Sequence, residues 1–123
     1  MKPALAIAAV AAVLAATPAL ADPRLPDGTY QCSMEQYGAG GIEIVGNTYK
    51  GPAFDGKYTG TYDFEIDAHD NIHWDGPVGG YTEPGYTLVA SRIVSDSHGN
   101  VGIEMSVKMD GSEHIHFVQC FTD

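Results

Sequence analysis

The chain has 123 residues, sixteen acidic and six basic, for a formal net charge of −10. So acidic a surface repels phosphate backbones and anionic lipid headgroups, which argues against nucleic-acid and membrane-surface roles. Cationic partners stay open (a basic protein, a polyamine, a divalent metal), and the charge also serves plain solubility.

The opening MKPALAIAAVAAVLAATPALAD carries one basic residue, Lys2, and then an apolar run from Ala4 to Ala16. It ends in Ala19-Leu20-Ala21, small residues where signal peptidase needs them. The run falls short of the ~20 residues that a membrane-spanning helix takes. No Cys follows the cleavage site to carry a lipid. Residues 1–21 are therefore expected to be a cleaved signal peptide, and residues 22–123 a single β-domain, periplasmic or secreted. Losing Lys2 moves the formal charge from −10 to −11. The remaining ~100 residues suit one domain with a modest core.

Two cysteines, Cys32 and Cys120, stand near the two ends of the mature chain. An even count in an exported protein predicts a disulfide, because that compartment is oxidising. The loop so closed takes in most of the domain, and on the chain-entropy view such a bridge contributes about 4–5 kcal/mol. A redox pair would need the short C-x-x-C spacing, which is absent.

From Thr29 onward the apolar pattern has period two. In YTGTYDFEI, Tyr58, Tyr62, Phe64 and Ile66 fall on one face, with Thr59, Thr61, Asp63 and Glu65 on the other. In VGIEMSVKM, Ile103, Met105, Val107 and Met109 oppose Glu104, Ser106 and Lys108. Half-buried strands alternate in this way and helices do not. Turn dipeptides at Gly46-Asn47, Asp55-Gly56, Asp75-Gly76 and Asp110-Gly111 divide the chain into short strands. Two longer turns, DAHDN and DSHGN, each open with an Asp suited to accept turn amides. Each closes with an Asn, a residue that tolerates the left-handed conformation. The strands read as 29–34, 41–45, 47–51, 58–67, 71–75, 86–95, 101–109 and 113–121. The fold class is all-β: an antiparallel meander of about eight short strands, as a small barrel or a sandwich. A Cys32–Cys120 bridge ties the first strand to the last, which favours the barrel.

The segments LPDGTYQC, GKYTGTYDF and IHWDGPVGGY, with a last strand ending in Cys120, resemble a group of small exported bacterial β-domain proteins. Those proteins share a Gly-x-Tyr-x-Cys start and a C-terminal Cys. The resemblance covers most of the mature chain and implies a periplasmic β-domain, with no activity attached. A fainter likeness is to the periplasmic inhibitors of C-type lysozyme, themselves small disulfide-tied β-barrels. The chain has no clear match to their inhibitory loop, so no residue role follows from that likeness.

Three stretches are candidate sites. In HIHFVQC, His114 and His116 share one side of a strand, about 7 Å apart. They can chelate a metal if His73 or a carboxylate supplies a third ligand. The plainer reading turns Ile115, Phe117 and Phe121 inward and the histidines to solvent; Val118 and Cys120 share the histidines' parity, which a bulge partway along the strand would reconcile. The carboxylates of DFEIDAHDNIHWD do not follow calcium-loop spacing and read as a wet strand face plus a capped turn. The Gly- and Pro-rich DGPVGGYTEPGY, residues 75–86, offers Tyr81 and Tyr86 as contacts for a partner, and residues 35–41 offer Tyr37. No G-x-S-x-G occurs, and bridged cysteines leave no Cys-His pair. The sequence thus points to a monomeric, non-enzymatic binding module for a basic protein or small ligand, with no cofactor. Inhibition of a cationic hydrolase such as lysozyme, or metal binding at His114 and His116, are its alternatives.

Overall fold

The computed structural model describes residues 23–34, 37–51, 60–78, 82 and 84–122. The expected signal peptide, the 52–59 connection and Tyr81 lie outside the described residues. Eight strands follow: β1 (Gly28–Met34), β2 (Tyr37–Val45), β3 (Thr48–Lys50), β4 (Tyr62–Ile66), β5 (Ile72–Trp74), β6 (Tyr86–Ser95), β7 (Val101–Met109) and β8 (Ile115–Phe121). They form one antiparallel sheet in the order β5-β4-β3-β2-β1-β8-β7-β6. Chain neighbours pair throughout, except that β1 pairs β8 and the sheet's two ends, β5 and β6, come to face each other. A bridge between Asn71 and Arg92 holds those ends together, with the Ile93 N–H donating to the Asp70 carbonyl at 2.9 Å. The fold is a nearly closed barrel, open along part of the β5–β6 seam.

The disulfide forms as expected. Cys32 and Cys120 are direct partners across β1 and β8, and both are buried. Alternation explains the core: Tyr30, Ile42, Ile44, Tyr49, Phe64, Ile72, Ile103, Met105, Val107 and Val118 all point inward. Leu25, before β1, and Val78, after β5, are completely buried as well. Hydrogen bonds fix both of these segments. Tyr30 Oη donates to the Pro26 carbonyl at 2.5 Å. Tyr49 Oη donates to the Pro77 carbonyl at 3.2 Å and accepts from the Gly76 N–H at 3.0 Å. Burial pushes the Tyr49 hydroxyl up to about 12, so it stays a donor.

Four expectations are corrected. On β8 the inward residues are Val118 and Cys120, whereas Phe117 is 53% exposed; His116 takes their side rather than the solvent side. The register against β7 is continuous from Ile115 to Phe121, so no bulge rescues the other parity. The bridged Cys120 must face Cys32, and that fixes the strand's facing. Second, residues 37–41 are not a loop but the start of β2, paired with β1 as Tyr37 with Met34, Gly38 with Ser33 and Gly41 with Gln31. A bulge lies between, with Gly40 at φ 83°, a conformation that a residue without Cβ adopts without strain. Third, the left-handed residue of each long turn is the fourth, Asp70 (φ 64°) and Gly99 (φ 83°), and not the closing Asn. Fourth, Met109, read as a core residue, is 44% exposed at the end of β7.

Candidate functional site

The sequence-predicted sites separate in space and in chemistry. The two cysteines are consumed by the disulfide. His114 and His116 do meet, with ring centroids 4.5 Å apart and edge to face. Among the described residues, no third metal-ligating side chain joins them. His73 pairs across from Glu65 on β5 and bonds Asp67 instead, through Nε2 to Oδ2 at 3.0 Å. Among the described residues, no three His, Cys, Asp or Glu side chains stand together as a metal would need. Of the tyrosines on the long loop, Tyr81 is outside the described residues, and Tyr86 opens β6 at 41% exposed, opposite Met109.

The carboxylates Asp67 and Asp96 build two copies of one turn. Asp67 accepts from the His69 N–H at 2.8 Å, the Asn71 N–H at 3.0 Å and Asn71 Nδ2 at 3.3 Å. Asp96 accepts from the His98 N–H at 2.8 Å, the Asn100 N–H at 2.9 Å and Asn100 Nδ2 at 3.0 Å. In both, the Asp N–H donates to the Asn carbonyl at 3.0 Å. The His73 bond first, then the turn amides, hold the Asp67 carboxyl far below the usual carboxylate range. Asp96 is lowered chiefly by the Asn100 amide. These groups serve the turns.

The open seam is a site that the sequence did not announce. Past the Asn71–Arg92 bridge, β5 ends at Trp74 while β6 extends back to Tyr86. Among the described residues, β7 is accordingly the only strand partner of Tyr86–Ala90. Between the two strands lies a cleft of about 600 Å³, within the usual range for ligand sites. Its walls are Ile72, Trp74, Val78, Leu88 and Val89, with Asn71, His73, Thr82 and Ser91 as the polar groups.

Local structure explains each wall. Trp74 is the protein's single tryptophan, and Tyr49 and Phe64 hold its ring at centroid distances of 4.7 and 5.6 Å. Its indole N–H donates to Ser91 Oγ at 2.8 Å, and Ser91 is 4% exposed. The β6 register shifts between Leu88 and Ala90, with Val89 as the extra residue. This bulge lets both Leu88 and Ser91 turn inward and leaves Val89 at the cleft, 53% exposed. Val78 N–H donates to Thr82 Oγ1 at 3.0 Å, which pins the loop wall.

Carboxylates flank the cleft's lining residues in the chain. Asp70 stands at the bridged end, and exposed Asp75 follows Trp74 directly. Asp110 lies beyond the cleft, in a separate hollow with Lys108, and donates its N–H to the Gly85 carbonyl just ahead of β6. The nearby cations are engaged: Arg24 with Asp70 at 3.1 Å and Arg92 with Glu104 at 2.8 Å. Comparison with known proteins finds no matching family model, no similar curated protein and no similar solved structure.

Proposed function

We propose that the protein is a non-catalytic binding module of an exported compartment, with its ligand held in the β5–β6 cleft. One observation carries the reading: the sheet opens where Trp74, Leu88 and Val89 present apolar surface beside a few fixed polar groups. Concave, mostly apolar sites with few polar anchors are what ligands occupy. Ser91 and His73 both line the cleft, but Ser91 Oγ is taken by Trp74 and His73 Nε2 by Asp67. A nucleophile needs its base within hydrogen-bond reach, so this arrangement favours binding over acyl chemistry. The buried disulfide supports an oxidising compartment.

The test uses Trp74 as reporter. Titration with the neutral apolar dye Nile red is expected to give saturable, single-site energy transfer from Trp74. Val89→Arg, a change at an exposed position, should abolish that transfer and leave the melting temperature within a degree or two, since exposed changes move stability by about 0.5 kcal/mol or less. Unsaturable transfer, or transfer indifferent to Val89→Arg, would remove the cleft from consideration.

A further inference from the structure

We infer that the occupant of this cleft is an extended peptide segment of a partner protein, apolar and basic side chains alternating, which adds as a strand along β6. The inference rests on the cleft being the binding site and identifies the chemistry it takes. The first support is the backbone. Among the described residues, Tyr86–Ala90 pair with β7 alone and β5 stops at Trp74, so one wall of the cleft is a strand edge with no described strand beside it. Ahead of the Val89 bulge, over Tyr86–Leu88, such an edge offers N–H and C=O groups at strand spacing, the template that strand addition uses. A compact ligand would ignore that row of groups, whereas a peptide satisfies it.

The side chains fit the same guest. An added strand points every second residue to one face, and Trp74, Val78 and Leu88 form the apolar surface those residues would meet. Charge decides the rest of its composition. Exposed Asp75 stands in the chain between the lining residues Trp74 and Gly76, Asp70 precedes the lining residue Asn71 and engages Arg24, and the chain as a whole carries −10. That field draws basic residues toward the cleft and repels a second copy of this chain, the other obvious source of a pairing strand.

The experiment titrates the oxidised protein with an acetylated, amidated seven-residue peptide of alternating valine and lysine. Two controls are run: the same peptide with glutamate for lysine, and the lysine peptide methylated on its backbone nitrogens. Trp74 emission and amide exchange at Thr87–Ala90 are followed together. The lysine peptide is expected to shift the emission saturably and slow exchange along Thr87–Ala90. Each control should bind weaker by about tenfold or more, and added salt should weaken the lysine peptide. An emission shift without slowed exchange, or equal binding by the methylated peptide, would overturn strand addition. Slowed exchange that grows with protein concentration and no peptide would show self-pairing, which also overturns the inference. If Nile red reports the cleft and the lysine peptide does nothing, the inference fails and the binding-cleft reading stands. Failure of dye and peptide alike removes both.

Discussion

Trp74 and Ser91 close the barrel with side chains where its backbone does not. The indole N–H reaches Ser91 Oγ at 2.8 Å across the seam between β5 and β6, strands that share only the Asn71–Arg92 bridge. Inside that bond lies the aromatic group of Tyr49, Phe64 and Trp74, and outside it lies the cleft. The seam is therefore held firmly on its core side while its outer side stays open. Ser91→Ala should lower stability by about 1 kcal/mol, and the coupling between Ser91→Ala and Trp74→Phe in a double-mutant cycle should be of similar size. Chemical denaturation of the four variants measures both. Strictly additive losses would mean that the bond contributes nothing.

The disulfide acts on the barrel's other joint. Cys32 and Cys120 are cross-strand partners on β1 and β8, the one neighbouring pair of strands not adjacent in the chain. The cysteines are 88 residues apart in sequence, so the bridge closes a loop worth about 4–5 kcal/mol on the chain-entropy view. Reduction should lower the unfolding free energy by that order, with much of the domain unfolding at moderate denaturant. Both sulfurs sit inside the barrel, so reductant should act on the native protein only as fast as it opens. Rapid reduction without loss of structure would contradict both points.

The alternation of Ile103, Met105 and Val107, and of Tyr62, Phe64 and Ile66, made two strands and their facing legible, because one face of each is buried against the core. The turns from Asp67 and Asp96 were legible as well, since an Asp that opens such a turn has few other roles. HIHFVQC was not, because Ile115 and Phe117 compete with Val118 and Cys120 for the inward side. Only the cysteine's need to meet Cys32 settles that contest. The seam was the least visible. Its one trace is a mismatch of length, with a strand of five residues at 71–75 facing one of ten at 86–95. That mismatch has consequences only once β5 and β6 are known to be neighbours. Ser91 carries no local sign that Trp74 will reach it.

Gly102 presents a packing constraint on the outer face. It pairs with Phe121, and a Cβ placed there would lie 2.4 Å from the Phe121 ring and 2.6 Å from the Cys120 carbonyl. The aromatic ring thus covers a bare stretch of β7, as edge aromatics do over glycine. Gly102→Ala should destabilise by about 1–3 kcal/mol through overpacking. Phe121→Leu in the same chain should return only part of that, because the carbonyl remains. Full recovery would show that the ring alone made the conflict.

Acid should weaken the domain through its two matched turns. Asp67 and Asp96 both have carboxyls lowered from 3.8 in the folded state, by hydrogen bonds that the unfolded chain lacks. Between the folded and unfolded values the unfolded chain binds more protons, so stability rises with pH there. The contribution is complete above the unfolded value and is lost as pH falls through the folded one. Stability should therefore hold level at neutral pH and begin to decline near pH 4, continuing well below it. Glu104, lowered by Gln119 and Arg92, adds to the same limb. Asp67→Asn and Asp96→Asn should each flatten the decline, Asp67→Asn more, because its carboxyl also holds His73. Unfolding midpoints measured from pH 2 to 7 give the slopes. An acid limb unchanged by both substitutions would place the proton uptake elsewhere.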